Sequence, residues 1–440
     1  MKFYDRKSEL EELERIRTLA FTDHSRMTVV TGRRRIGKTS LTVRAFEQGK
    51  GVYLFAARKS EAGLCADFSE EISRALDTFV PPGITEFRNL FRYIMELAGR
   101  MPFTLVIDEF QEFYSINPSV YSEMQNIWDQ HKDRTRLNLI LAGSVYSMIQ
   151  RIFQSYREPL FGRADNIINL APFSIKAIKK IIADYRPKYS NDELLALYAF
   201  TGGVPKYVEA FCDNKALTVY GMIDFMVRDN SFFIEEGKHL LIEEFGRDYG
   251  TYFSILGAVA RGINTQPEIA AMLGDKSIGG QIKRLIEDYR LLVRRRPILS
   301  KEGTQAVRFE IADNFLQFWF NYFDRRRSLI ELGNFDALRA IIKADYETYS
   351  GRILERYFKQ LLAESGEYRD TGSYWELKSG QNEIDIVALG LEKNRALAIE
   401  VKRQKKKFSP GLLAVKTEHL RQRQFRSYVI ECRCLSMEDM

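Results

Sequence analysis

The chain contains little cysteine and histidine, and it has no long apolar run. Its four cysteines include no C-x-x-C pair, so the sequence indicates neither a disulfide framework nor a cysteine zinc site. Its four histidines are scattered, so a histidine zinc site is not expected. No stretch approaches the ~18 apolar residues that a membrane-spanning helix needs. The charged N-terminus lacks the apolar core of a signal peptide. We therefore expect a cytoplasmic protein with reduced thiols and no membrane segment.

Internal repeats and low-complexity linkers are also missing, so the domains should pack on one another. A chain of 440 residues is too long for one ordinary core and predicts about two to four domains. The net charge is +7, and residues 401–440 alone contribute ten Lys/Arg against four Asp/Glu, or +6. Such a basic segment suggests a polyanionic partner, and a solvated tail is the alternative.

The pattern of apolar runs predicts the fold class and four domains. "MTVVTG", "GVYLFAA", "FTLVIDEF" and "LNLILAGS" read as buried strands separated by helices, which predicts a doubly wound parallel α/β sheet over 1–173. The pattern is purely helical over 174–244, as in a small lid. Three short helices and two β-like runs over 245–333 predict a winged helix-turn-helix. The aromatic helix that follows within this range should serve core or interdomain packing rather than base stacking. The last α/β domain spans 334–440.

A phosphate-binding loop follows the first strand. The segment from Gly32 to Thr39 reads G-x-x-x-x-G-K-T between a strand and a helix, which is the context that a Walker A motif needs. Its backbone N–H groups and the helix dipole would hold phosphate, Lys38 would neutralise the β- and γ-phosphates, and the Thr39 hydroxyl would ligate Mg²⁺. The predicted ATP-binding residues of this segment are Gly32, Arg35, Ile36, Gly37, Lys38, Thr39 and Ser40.

Two further strands end in polar residues that suit the same site. Asp108 and Glu109 close "LVIDEF", where Asp108 would hold Mg²⁺ through water and Glu109 would orient or deprotonate the attacking water. Ser144 ends "LILAGS" and could sense the γ-phosphate. These residues predict an ATP hydrolase.

Five segments in order carry a family resemblance: "GRRRIGKTSL", "VIDEFQEF", "LAGSVYSMI", "PLFGRAD" and "TGGVPKYVE". Together they resemble the archaeal-type ATPase family, a branch of the P-loop AAA+/STAND ATPases, over roughly residues 1–245. The resemblance implies that Arg163 is an arginine finger, acting within one chain or across a homo-oligomer interface. It also implies that Pro205 and Lys206 form a sensor-2-like element of the lid.

The predicted winged helix leaves two roles open. Gln281, Lys283 and Arg284 would lie on its recognition helix, and Arg294–Arg296 would approach the wing. Exposed basic groups of this kind can displace counterions from DNA. Winged helices in ATPases of this type also serve as packing or protein-interaction modules.

The C-terminal domain carries a second candidate site. Asp385 and Glu400 lie fifteen residues apart on two strands that suit a hairpin, and Lys402 follows Glu400 on the same face. Two carboxylates supply hard oxygen ligands for Mg²⁺ or Mn²⁺, and the lysine can stabilise charge in phosphodiester hydrolysis. Glu355, on the preceding helix, could bind metal through water. The basic block Arg403–Lys407 would neutralise substrate phosphates beside the site.

This order of helix, Asp strand and Glu-x-Lys strand resembles the PD-(D/E)xK, restriction-endonuclease-like fold that is commonly fused to archaeal-type ATPases. The alternative is a surface hairpin with solvated charges. The interpretation is an ATPase coupled to a nucleic-acid-binding, metal-dependent nuclease-like domain, with DNA as the expected partner. The rival interpretations are an ATP-gated switch and a DNA-binding regulator, each with an inactive C-terminal platform.

Overall fold

The chain forms two compact units, each with its own apolar core. The computed structural model describes residues 1–46, 49–245, 249–376, 382–423 and 425–440. The N-terminal unit comprises Tyr4–Pro172, and the C-terminal unit comprises Met1–Phe3 together with Phe173–Met440. Within the described residues, no helix combines the length and the apolar character needed to cross a membrane.

The N-terminal unit alternates helices with strands. Its strands are β1 (Arg26–Thr31), β2 (Gly51–Phe55), β3 (Phe103–Asp108), β4 (Leu137–Gly143) and β5 (Asn166–Asn169). Its helices are α1 (Lys7–Thr22), α2 (Lys38–Phe46), α3 (Glu61–Leu76), α4 (Phe87–Arg100), α5 (Phe113–Ile116), α6 (Ser119–His131) and α7 (Tyr146–Gln154). This confirms the predicted α/β class. Strand β5 was not predicted, because its sequence N-I-I-N has only two apolar residues.

The strands form a parallel sheet in the order β2-β3-β4-β1-β5. Every residue of β3 and β4 is buried, as expected for central strands covered by helices on both faces. Strand β4 lies between β1 and β3, so the carboxyl ends of these three strands are neighbours at one edge. Ligands of open α/β sheets bind outside this edge. The predicted Walker residues and Ser144 follow directly after these ends.

The C-terminal unit begins with helices, and further helices follow between its strands. They are α8 (Ile175–Tyr185), α9 (Asn191–Thr201), α10 (Pro205–Asp213), α11 (Val219–Met226), α12 (Phe232–Phe245), α13 (Tyr249–Ala260), α14 (Gln266–Met272), α15 (Gly279–Glu287), α16 (Asn314–Trp319), α17 (Arg327–Glu331), α18 (Phe335–Ser365) and α19 (Pro410–Arg421). Its strands are β6 (Leu292–Arg295), β7 (Arg308–Ile311), β8 (Tyr368–Tyr374), β9 (Ile384–Gly390), β10 (Arg395–Lys402) and β11 (Val429–Ser436).

Local sequence explains where the early helices of this unit begin and end. Ser174 accepts a hydrogen bond from the Ala177 amide at the start of α8, and Ser190 forms a capping box with Glu193 at the start of α9. Helix α9 ends at Gly202, whose φ of 58° suits a residue without a Cβ. These caps set the boundaries of the helices predicted as a lid.

The aromatic segment after β7 is core, as the sequence analysis predicted. Phe318 packs against Phe200 at 4.9 Å between ring centroids and against Tyr322 at the same distance. The Trp319 indole donates to the Ile234 carbonyl oxygen at 2.7 Å, which satisfies its buried N–H group. The segment is a short α-helix followed by a π-helical turn over Phe320–Asp324, rather than the single helix predicted.

The order of α13, α14, α15, β6 and β7 follows the predicted winged-helix pattern, but the hairpin packs on the last domain. Ile298, in the loop between β6 and β7, belongs to the apolar core of the C-terminal sheet. Its amide donates to the Ser373 carbonyl oxygen of β8 at 2.9 Å. On β7, Arg308 pairs with Glu383 at 2.8 Å and lies over the Trp375 ring. These contacts favour the packing role for the loop of the hairpin.

The C-terminal sheet has the order β11-β10-β9-β8. Strands β8, β9 and β10 are antiparallel neighbours, and β11 runs parallel to β10 after the crossover helix α19. Helix α18 runs through 31 residues, twice the length read from its last segment in the sequence. Strands β9 and β10 of this sheet form the hairpin that carries Asp385 and Glu400.

Candidate functional site

The loop between β1 and α2 has the conformation that its glycines allow. Gly32 and Gly37 have φ values of 153° and 88°, and a Cβ at Gly32 would lie 2.9 Å from the Leu170 carbonyl oxygen. Lys38 is buried, and its ammonium donates to the carbonyl oxygens of Gly32 at 2.9 Å and Arg33 at 3.1 Å. The lysine therefore lies over the loop that is predicted to hold phosphate.

The other predicted loop residues differ in exposure. Arg35 adopts a left-handed φ of 68° and is exposed, and Ser40 is exposed in the first turn of α2. Ile36 is instead buried in an apolar cluster with Leu41 and Leu170. Its side chain therefore anchors the loop, and only its backbone is available to a nucleotide.

Thr39 and Asp108, the residues predicted to hold magnesium, are in hydrogen-bond contact. The Thr39 hydroxyl donates to Asp108 Oδ2 at 2.8 Å, and the Tyr53 hydroxyl donates to the same oxygen at 2.6 Å. Asp108 is buried, so hydrogen bonds are needed to offset the loss of hydration of its carboxylate. A hydroxyl and a carboxylate oxygen in direct contact fit Mg²⁺, which prefers hard oxygen ligands. Tyr53 was missed by the sequence analysis, because a strand tyrosine gives no signal of its own.

Glu109 is held at the end of β3 by two polar neighbours. It has a left-handed φ of 53°, which turns the chain directly after Asp108. Ser144 donates to Glu109 Oε1 at 2.8 Å, and Gln111 Nε2 donates to Oε2 at 2.5 Å. The structure therefore brings Ser144 to Glu109. Gln111, two residues after Glu109, is a further contact that the sequence analysis missed.

Arg163 and Lys206 have ion-pair partners within their own units. Arg163 donates to Asp129 Oδ2 and to the Phe161 carbonyl oxygen, both at 3.0 Å. Pro205 is the first residue of α10, where Lys206 pairs with Glu209 at 2.9 Å. The arginine-finger and sensor-2 roles of these residues stay predictions.

The β9–β10 hairpin brings the residues of the second candidate site together. Ile386 lies opposite Ile399 in the antiparallel register, so the next pair outward is Asp385 and Glu400. Asp385 Oδ2 accepts from the Val401 amide at 2.8 Å. Lys402 Nζ lies 2.8 Å from Glu400 Oε1 and 4.0 Å from Asp385 Oδ2.

A second lysine joins this site from α19. Lys416 Nζ lies 3.2 Å from Glu400 Oε2. Helix α19 connects β10 to β11 and packs on both strands, which places Lys416 beside Glu400. Lys416 has no signal in the sequence, because its position depends on this crossover. Glu400 therefore has ammonium groups on both of its oxygens.

Burial and neighbouring charge shift the acid–base properties of the site. Burial raises the pKa of Asp385, and Glu400 adds to the effect. Burial and the charge of Asp385 raise the pKa of Glu355 to about 7. Burial opposes ionisation of Lys402, but its hydrogen bond to Glu400 and the charge of Asp385 raise its pKa, so it remains a cation.

The donor set fits a metal that keeps much of its hydration. Among the described residues, no group of three or more His, Cys, Asp or Glu side chains is gathered closely enough to hold a metal ion. Asp385 and Glu400 would therefore act as a pair. Magnesium is usually bound by one or two carboxylates, with water and substrate phosphate completing the shell. Glu355 lies near enough to Asp385 to feel its charge.

Arg403, the first residue of the basic block, has partners within the chain, and the role of the block beside substrate phosphates stays a prediction. The Arg403 guanidinium donates to Asp192 Oδ1 at 2.9 Å and to the Ser350 hydroxyl, and it lies over the Tyr346 ring. Tyr346 in turn donates to Asp192 Oδ1 at 2.9 Å. Arg403 thus joins the strand of Lys402 to helix α9. The turn at Lys405–Lys407 remains exposed beside the site.

The residues of the predicted recognition helix have structural contacts of their own. Lys283 pairs with Glu287 at 3.7 Å on the same helix, and Arg284 donates to the Tyr252 hydroxyl at 3.4 Å. Gln281 and Arg284 line an opening between α13 and α15. The DNA-binding role of this helix stays a prediction.

Comparison with known proteins identifies the family. The model of an ATPase domain found predominantly in Archaea matches residues 3–211, and a model of archaeal and bacterial proteins of unknown function matches residues 319–416. The uncharacterized protein MJECL04 of Methanocaldococcus jannaschii is 32% identical over 410 residues, which cover 91% of this chain and 87% of that protein. The Walker-type ATPase PABY2304 of Pyrococcus abyssi has a similar fold, with a TM-score of 0.55 and 18% identity over 72% of this chain and 96% of that chain. This chain therefore belongs to the archaeal-type ATPase family, as a member that carries the C-terminal domain of unknown function.

Proposed function

We propose that this chain couples ATP binding and hydrolysis to metal-dependent cleavage of nucleic acid, with DNA as the expected substrate. The proposal is carried by one observation, the register of the β9–β10 hairpin that brings Asp385, Glu400 and Lys402 together. It includes a division into an ATPase core (1–173), a helical lid (174–244), a winged-helix module (245–333) and a nuclease-like domain (334–440).

In the ATPase core, each residue has a separable task. Lys38 neutralises the β- and γ-phosphates, and Thr39 with Asp108 holds Mg²⁺. The bound ion would screen the phosphate charge and polarise the γ-phosphoryl group. Glu109 orients the attacking water, since Ser144 and Gln111 fix its carboxylate at the end of β3. Pro205, Lys206 and Arg163 are proposed as nucleotide-responsive elements, with Arg163 acting within the chain or in a homo-oligomer.

In the nuclease-like domain, Asp385 and Glu400 hold Mg²⁺ or Mn²⁺, and Glu355 contributes through water. Such an ion would polarise the phosphodiester and lower the pKa of a bound water. Lys402 is held as a cation, so it stabilises the negative charge that develops on phosphate rather than removing a proton. Lys416 fixes the second oxygen of Glu400. Hydrolysis adds water across one P–O bond and leaves a phosphate monoester and an alcohol.

Cleavage assays test this proposal. End-labelled linear, circular and single-stranded DNA and RNA are incubated with the protein, with and without ATP and Mn²⁺. We expect metal-dependent products that are lost in Asp385→Ala and kept in Glu392→Gln. Glu392 is an exposed carboxylate in the turn of the same hairpin, so it controls for the loss of one charge. Products that persist in Asp385→Ala would exclude this site as their source.

A second candidate function is an ATP-gated switch with an inactive C-terminal platform, including a regulator that binds DNA without cutting it. It is favoured by the two lysines on Glu400, which satisfy this carboxylate without a metal. The same assays separate the two functions. ATP hydrolysis that is indifferent to DNA, together with no cleavage in Mn²⁺, would favour the switch.

A further inference from the structure

A basic cavity lies between the β6–β7 hairpin, helix α18 and strand β8, all within the C-terminal unit. Its volume is about 440 Å³, within the usual range of ligand pockets. Its described lining includes five cationic side chains and two carboxylates, a net charge of +3. The cations are Arg294, Arg295, Arg296, Arg356 and Lys359, and the acids are Glu310 and Asp370.

Two of these cations have fixed partners. Arg295 pairs with Glu310 at 2.9 Å. Arg356 donates to the Ile311 carbonyl oxygen at 3.0 Å and to Asn314 Oδ1 at 3.2 Å. These contacts hold both guanidinium groups at the cavity wall.

The other three cations, which are Arg294, Arg296 and Lys359, form no ion pair within 4.0 Å in the described part of the chain. Lys359 nevertheless lies near enough to Glu310 and Glu355 for its charge to favour their ionised forms. Arg296 Nε is buried without a hydrogen-bond partner among the described residues, although it is a strong donor. Cations gathered in a cavity repel one another, and a bound polyanion would relieve this repulsion and satisfy their N–H groups.

The cavity adjoins the Asp385 site. The Ser373 hydroxyl, from a residue of the cavity wall, donates to the Asp385 carbonyl oxygen at 2.9 Å. Strand β8, which carries Ser373, pairs with β9, which carries Asp385. On α18, Lys359 lies one turn after Glu355, so both side chains are on one face of the helix.

We propose that this cavity binds the phosphodiester backbone of a nucleic-acid strand and leads it to Asp385 and Glu400. This inference rests on the proposed nuclease function and adds the path of the substrate. A strand fits better than a free nucleotide because Ser373 of the cavity wall contacts Asp385, so a strand held in the cavity would have a neighbouring phosphate near the carboxylates. In this proposal Arg294–Arg296 contact phosphates inside the cavity. They do not act as the wing of a winged helix that enters a DNA groove.

The test measures binding of a fluorescein-labelled single-stranded DNA oligonucleotide to the full chain by anisotropy, in EDTA so that no cleavage occurs. The cavity variant is Arg294→Gln/Arg296→Gln/Lys359→Gln. The matched control is Lys176→Gln/Lys180→Gln/Lys188→Gln, which removes the same charge from exposed positions on and after α8. Three lost phosphate contacts should lower the slope of log K against log salt by about 2 and weaken binding roughly 10- to 100-fold near 0.1 M salt, with the control close to wild type.

The outcomes separate this inference from the proposed function. Equal weakening in both variants would overturn the cavity as the binding site and leave the nuclease proposal standing. No binding by the wild-type chain at any salt concentration would overturn both. Displacement of the oligonucleotide by pyrophosphate at equal phosphate concentration would show that the cavity binds a small anion. It would overturn the inference that the cavity binds a nucleic-acid strand.

A second measurement does not depend on the variants folding. In the wild-type chain, acetylation of Lys359 is followed by mass spectrometry with and without the oligonucleotide. Protection of Lys359, with Lys180 unprotected, is the expected result. Equal acetylation of Lys359 in both conditions would contradict the proposal.

Discussion

Arg403→Ala should loosen the link between helix α9 and the strand that carries Lys402. The guanidinium makes two hydrogen bonds, to Asp192 and Ser350, and covers the Tyr346 ring. Hydrogen bonds to charged groups contribute about 1.5–3 kcal/mol each, and a cation over an aromatic ring about 0.5–1 kcal/mol. Because the Asp192 side chain is 36% exposed, solvent screening lowers the sum, and we expect a loss of about 2–3 kcal/mol.

Hydrogen exchange followed by mass spectrometry measures this loss locally. A loss of 2–3 kcal/mol should speed exchange of the α9 amides by roughly 30- to 150-fold, since about 1.4 kcal/mol corresponds to a factor of ten. Arg395→Ala is the control, because its ion pair with Glu392 is exposed and should contribute less than about 1 kcal/mol. Equal exchange in the two variants would refute the reasoning.

Three other predictions concern the same sites. Lys38→Ala should abolish ATP binding, whereas Glu109→Gln should keep binding and stop hydrolysis; wild-type turnover by Glu109→Gln would disprove the role of Glu109. Mixing Arg163→Ala with Lys38→Ala, each inactive alone, should restore ATPase activity if the finger acts in trans, and no recovery in proven mixed oligomers would count against it. Because the folded-state pKa of Glu355 is raised to about 7, metal-free protein should lose stability as pH rises from about 4.5 to 7, and Glu355→Gln should flatten this dependence in denaturation midpoints at pH 5.5 and 8. An unchanged pH dependence in Glu355→Gln would show that another group titrates.

The sequence predicts the parts of the fold whose signals are local. Gly32–Thr39 needs its glycines for its own backbone, and the apolar runs of β1, β3 and β4 are long enough to identify buried strands. The spacing of Asp385 and Glu400 likewise suits a hairpin, and the register confirms that they are neighbours. Each of these features depends on residues close together in the chain.

Features that depend on tertiary packing were missed. Tyr53 reaches Asp108 only because β2 lies beside β3, and Lys416 reaches Glu400 only through the α19 crossover. Arg403 was read as part of a basic block because charge in sequence does not show its partner, Asp192, which lies 211 residues away. The role of Arg294–Arg296 stays open in the sequence, because the packing of Ile298 on the C-terminal core has no sequence signal.

The most direct test of the account follows metal binding and cleavage together in wild type and Asp385→Ala. Calorimetry with Mn²⁺ and cleavage of end-labelled DNA in ATP are measured on the same preparations. The account predicts that wild type binds Mn²⁺ and cuts, while Asp385→Ala loses both and keeps ATP hydrolysis. Absence of cleavage by wild type in Mg²⁺ and Mn²⁺ under every nucleotide condition, with Mn²⁺ binding unchanged in Asp385→Ala, would contradict it.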